Sequence, residues 1–148
     1  MPNEDMPEVV LNYFRFVNED RTDELMELFH EDAETFPVMS PPLRGREQIR
    51  GYYADVKHRV PQHSDVPVRI WRDGTSYAVE LEFKGVTAAG ERLEFPAVDL
   101  FDVVDGRIKR IKVFWGRIPG RALPVEYQAG RVDRSVRSTG PDSPSNDH

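Results

Sequence analysis

The chain changes its period halfway along. Up to His30, and again from Arg46 to Val60, apolar residues recur at helical intervals; from Asp65 onward they alternate with polar ones, in stretches divided by Asp73-Gly74, Ala89-Gly90 and Asp105-Gly106. Asp-Gly between two alternating segments is a hairpin signal, because both central residues of a type I′ turn need positive φ. The second half therefore reads as an antiparallel meander with strands at Val66 to Arg72, Ser76 to Thr87, Arg92 to Val104 and Arg107 to Trp115.

In the first half, Val10, Tyr13, Phe14 and Val17 share one helical face, followed by Leu25, Met26, Leu28 and Phe29. Thr22 stands where an N-cap would open the second helix, with Asp23 and Glu24 in its first turn. "AETFPV" reads as a short extended piece ended by the turn "SPPLRG". A third helix fits "REQIRGYYADVKHRV", with Ile49, Tyr52, Tyr53, Val56 and Val60 on one face and Pro61 as its stop. Helices followed by strands imply an α+β domain with the helices packed on one sheet face. The strand from Arg92 to Val104 is apolar on both sides, so the second sheet face needs another cover, and a symmetric homodimer is the simplest. After Gly116 the pattern fails. Residues 1–118 are read as one domain, and 119–148, rich in Arg, Pro, Ser and Gly, as an extension that is largely disordered at its end.

With 20 basic and 26 acidic residues, a formal charge of -6 and basic residues scattered singly, neither nucleic acid nor a membrane is expected as a partner. No apolar run approaches a membrane span and no leader-like segment opens the chain, so a cytoplasmic protein is expected. The absence of cysteine excludes disulfides and thiol nucleophiles. His58 and His63 are interrupted by Pro61, so no metal site is expected, nor any other cofactor. Trp71 suits core or dimer contact, and alternation puts Trp115 on the face opposite Asp99, as an interface residue.

Asp99 is the anomaly. It shares its strand face with Phe95, Ala97, Phe101 and Val103, where an unpaired charge costs several kcal/mol in order of magnitude. Two-residue turns at Ala89-Gly90 and Asp105-Gly106 would line up Glu80, Asp99 and Lys112 across neighbouring strands. Beside Lys112 the carboxyl would ionise; without a cation, burial would keep it neutral and able to donate. It is either half of a structural ion pair or a polar group set in an apolar pocket to touch a ligand.

The segments "VLNYFRFVNEDRTDELMELFHEDAETFPV", "PLRGREQIRGYYADV" and "PAVDLFDVVDGRIKRIKVFWG" resemble the NTF2-like superfamily, in particular its ketosteroid isomerase and SnoaL-like polyketide cyclase branch. The resemblance implies a cone of three N-terminal helices packed on a curved antiparallel sheet around a deep apolar pocket, commonly as a homodimer. It places Tyr13 on the isomerases' oxyanion-hole tyrosine, Asp99 on its partner, the buried acid, and Tyr53 on a supporting tyrosine. Where the isomerases carry an aspartate base, this chain has Phe36-Pro37. The expected activity is a cofactor-free isomerase, cyclase or dehydratase acting on a hydrophobic enolisable carbonyl compound, polyketide- or steroid-like. Tyr13, Asp99 and, as base, Glu80 are its catalytic candidates; Tyr53, Phe36, Phe101 and Lys112 are expected to line its site. The alternative is a non-catalytic binding or dimerisation module of the same fold, suggested by the missing base.

Overall fold

The computed structural model describes residues 6–38 and 40–116. In chain order it runs α1 (Glu8–Asn18), α2 (Thr22–Glu27), β1 (Phe29–Phe36), β2 (Leu43–Arg44), α3 (Gly45–Arg59), β3 (Gln62–Asp73), β4 (Ser76–Val86), β5 (Arg92–Val104) and β6 (Arg107–Trp115). The strands form one sheet in the order β2-β1-β6-β5-β4-β3. Three helices pack on this curved, unclosed sheet, so the expected α+β cone is the observed architecture. The expected boundary at residue 118 and the extension 119–148 lie outside the described residues. Among the described residues no helix is long and apolar enough to cross a membrane.

Helix α1 buries Val10, Tyr13, Phe14 and Val17, the stripe its spacing implies. The chain leaves it through Asp20, whose φ of 56° is left-handed, a conformation aspartate tolerates better than most residues. Helix α2 is shorter than the apolar spacing suggests: Thr22 is its first residue rather than its cap, and Phe29 already belongs to β1. The cause is tertiary, because the Ile108 N–H donates to the Leu28 carbonyl at 2.8 Å and Phe29 pairs with Ile108. Strand β1 then runs parallel to β6, with Thr35 opposite Ile111 and Phe36 opposite Lys112.

The meander forms where expected, but two registers differ from the two-residue rule. Asp105 (φ 51°) and Gly106 (φ 74°) make the expected turn, closed by Val104 opposite Arg107. A bulge follows, so that Asp102 meets Arg110 rather than Lys109, and Asp99 meets Val113. Between β4 and β5 the loop has three residues, Ala88 to Gly90. The Thr87 N–H donates to the Glu91 carbonyl at 2.8 Å, and Gly90 takes the left-handed conformation at φ 86°. Asp99 therefore faces Val79, and Glu80 faces Val98. The first hairpin closes on Gly74-Thr75, with Asp73 still paired to Ser76.

A slip of one residue sends a side chain to the other face. The expected row of Glu80, Asp99 and Lys112 does not exist: Asp99 points to the inner face, under the helices, whereas Glu80 and Lys112 lie on the outer face beside Val98 and Leu100. Trp115 moves the opposite way. Paired with Ala97, it is on the inner face, its ring 4.6 Å from that of Phe95. The core between sheet and helices is built on Leu25, Phe29, Ile49, Phe101, Ile108 and Ile111.

Candidate functional site

The inner face carries a polar cluster inside an aromatic frame. Asp99 is only 4% exposed, flanked by Val79 and Val113, and among the described residues no hydrogen bond or ion pair reaches its carboxyl. Burial pushes its pKa well above the usual carboxylate range, and Asp65 pushes it further. With Lys112 on the other face, no cation opposes that push toward the neutral acid, the form that can donate a hydrogen bond.

Tyr13 comes from the middle of α1, and its hydroxyl lies 2.6 Å from that of Tyr53 on α3. Burial, the neighbouring Tyr53 and the carboxyls of Asp99 and Asp65 all raise the Tyr13 pKa, so the phenol stays protonated. Tyr53 is raised as well, mainly by burial, and burial pushes Tyr52 up to about 12. The Tyr13 ring meets Phe14 and Phe101 edge-on, each at 5.1 Å between centroids, which fixes the direction of its hydroxyl.

The structure thus brings Tyr13, Tyr53 and Asp99 together. Phe101 stands beside them: 1% exposed, it packs edge-on against Tyr13 and Phe14. Glu80, Lys112 and Phe36 do not join them. Phe36 is on the outer face, where the Lys112 ammonium sits 5.6 Å from its ring centroid.

Two inner-face groups were missed in the sequence. Asp65 lies opposite Phe83 on β3, and the Asn18 side chain grips its backbone at both ends: Nδ2 donates to the Asp65 carbonyl at 2.8 Å, and the Asp65 N–H donates to Oδ1 at 2.7 Å. Burial pushes the Asp65 carboxyl up to about 6 against the opposing pull of His63. Thr35, on β1, has a buried hydroxyl without a hydrogen-bond partner among the described residues. The available signal for Asp65 was its place two residues before Pro67, on the same face of a strand that begins four residues earlier than the alternation shows. Among the described residues no cluster of three His, Asp or Glu side chains could hold a metal ion.

No protein of curated function matches the sequence. Solved structures do share the fold. A hypothetical protein with ketosteroid isomerase-like fold from Catenulispora acidiphila, in complex with trimethylamine, is 18% identical with a TM-score of 0.71, over 75% of this chain and 87% of its own. A putative polyketide cyclase from Sinorhizobium meliloti is 24% identical with a TM-score of 0.68, over 77% of this chain and 100% of its own. SalBIII, described as an epoxide hydrolase/cyclase-like enzyme of pyran ring formation in the polyether salinomycin, is 32% identical with a TM-score of 0.65, over 74% of this chain and 88% of its own. Residues 10–111 match the family model of the SnoaL-like domain, and the chain belongs to that family.

Proposed function

We propose that the protein is a cofactor-free isomerase, cyclase or dehydratase for an apolar, enolisable carbonyl compound of polyketide- or steroid-like character. The observation that carries this reading is a buried carboxyl, Asp99, without a hydrogen-bond partner among the described residues, on the sheet face covered by the helices that carry a hydrogen-bonded tyrosine pair. A carbonyl oxygen entering there would accept from Asp99 and from Tyr13, with Tyr53 holding Tyr13 in place. As charge develops on that oxygen, preorganised donors can contribute roughly 3 kcal/mol each. SalBIII, 32% identical, supports a substrate from polyketide chemistry.

A phenol such as 2-naphthol mimics the enolate and tests the donors. Tyr13→Phe removes one of them and is expected to weaken 2-naphthol binding by about 10- to 100-fold in a fluorescence titration. Unchanged affinity in both Tyr13→Phe and Asp99→Leu would sink the oxyanion-hole reading.

The working unit is proposed to be a homodimer through the outer sheet face. Val66, Trp71, Leu100 and Phe114 are 38% to 55% exposed there, large apolar side chains that a second copy would cover. Arg69, Lys112, Glu80 and Glu82 share the face, charges of both signs that two copies can match about a twofold axis. Phe114→Glu is expected to halve the mass seen by light scattering at micromolar concentration; a monomeric wild-type protein would remove the dimer.

A further inference from the structure

The donors of the proposed site stabilise an enolate but do not make one, and Pro37 and Phe36 cannot take a proton. The geometry points to Asp65 as the group that moves the substrate's proton, with His63 and Asp20 connecting it to the protein surface. This deepens the reading above and rests on it.

Asp65 shares the inner face with Asp99, in the row of Phe83 and Phe95, and its carboxyl raises the pKa values of Asp99, Tyr13, Tyr53 and Tyr52. Among the described residues no hydrogen bond or ion pair occupies its carboxyl. Its backbone is fixed by the two Asn18 bonds, so the side chain starts from a defined position, as a catalytic group must. The two carboxyls differ in surroundings: Asp99 lies between Val79 and Val113, whereas Asp65 has His63 two residues back on the same strand face. Separated pKa values of this kind assign one acid as donor and the other as base, and a base near 6 is ionised yet still basic at neutral pH.

Outward of Asp65, the next polar side chain on its strand face is His63, two residues back. The His63 side chain is only 6% exposed, and its Nε2 lies 2.9 Å from Asp20 Oδ1; Asp20 is 29% exposed, and its other oxygen is 3.9 Å from the Lys57 ammonium. Gly85, opposite His63, leaves room for the Val60 side chain and the Gln62 backbone beside it. A Cβ there would stand 2.7 Å from Val60 Cγ1 and 3.1 Å from the Gln62 carbonyl. In the step itself, the Asp65 carboxylate takes the proton from the carbon beside the carbonyl, and the C–H electron pair forms the enolate held by Asp99 and Tyr13. Asp65, now a carboxylic acid, returns the proton to another carbon of the same enolate or exchanges it with water through His63.

Deuterium exchange from D2O into 2-tetralone, followed by NMR, reads this proton transfer alone, while 2-naphthol binding reads the donors. Wild-type exchange is expected to rise with pH through about 6 and then level. The groups that could bend the curve are His63 on the same strand face with Asp20 bound to it, Tyr13 on α1, Tyr52 and Tyr53 on α3, and Asp99 on β5. Asp65→Asn keeps the backbone bonds to Asn18, should bind 2-naphthol much as wild type does, and is expected to exchange about 100- to 10,000-fold more slowly. His63→Gln removes the group that pulls Asp65 down, so the midpoint should move to higher pH; a merely structural His63 would change the rate without moving it. Wild-type exchange rates in Asp65→Asn, with 2-naphthol binding still dependent on Asp99, would overturn the inference and leave the proposed function standing. A wild-type protein that binds 2-naphthol without exchanging 2-tetralone would remove both the base and the catalysis, leaving a binding site. One that does neither would remove the proposed function with the inference.

Discussion

Asp99→Asn is expected to be more stable than the wild-type protein at pH 8 and to lose that advantage as the pH falls to 4. In the folded chain burial keeps the carboxyl protonated, whereas in the unfolded chain an aspartate ionises near pH 3.9. Above that pH the unfolded state releases a proton that the folded state retains, so folding stability declines with rising pH until the folded pKa is reached. Asparagine has no proton to retain, and the decline disappears with it. Asp65, pushed up to about 6, has the same sign over a window of roughly 3.9 to 6, so its effect is likewise confined to pH above 4. Urea unfolding of both proteins from pH 4 to 8 measures the divergence; parallel curves would mean that Asp99 is not held neutral. Function moves the other way. Asp99→Leu removes the donor from the same shape of site and is expected to slow turnover of a confirmed substrate by about 100- to 1,000-fold. A gain in stability coupled to a loss of activity is what a polar group kept in an apolar place for chemistry should produce.

Phe101→Ala is expected to cost about 3–5 kcal/mol of stability, the range for truncating a buried phenylalanine whose site cannot collapse. Phe101 is 1% exposed, and its ring stands edge-on to Tyr13 at 5.1 Å and to Phe14 at 5.8 Å, contacts worth roughly 0.5–1.5 kcal/mol each beyond burial. Its neighbours on β4 and β6, Tyr77 and Ile111, are also buried and belong to strands fixed by their own pairing, which limits relaxation. Because Phe101 holds the Tyr13 ring, the milder Phe101→Leu should lose 2-naphthol affinity while costing much less stability, which separates a positioning effect from loss of the fold. Chemical denaturation decides the first point: a cost under about 1 kcal/mol would show that the aromatic frame repacks.

Much of this was legible in the residues, and the rest failed for definite reasons. The stripe of Val10, Tyr13, Phe14 and Val17 and the alternation around Asp99 are local periodicities, and both were observed as read. Asp105-Gly106 formed its turn because the demand for positive φ is met or missed within two residues. The partners of Asp99 were not local in this sense. They depended on a three-residue loop at Ala88 to Gly90 and a bulge opposite Asp102, and each moved the register by one place, exchanging Lys112 for Val113 and Glu80 for Val79. Phe29 joined a strand because β6 offered it a parallel neighbour from far along the chain, which no pattern near Phe29 announces.

By itself, then, the sequence determined the three helices and the four strands of the meander to within a few residues at their ends, the apolar stripe of α1, and that Tyr13, Tyr53 and Asp99 are polar groups on apolar faces. Only the tertiary structure decided that Asp99 has no cation beside it, that Asp65 stands on the same inner face, and that Glu80 and Lys112 belong to the outer one. The physical reason is the sheet's period of two: the pattern of apolar residues is tolerant of a shifted partner, but the identity of the group opposite a buried carboxyl, and with it the proton on that carboxyl, changes completely with a shift of one.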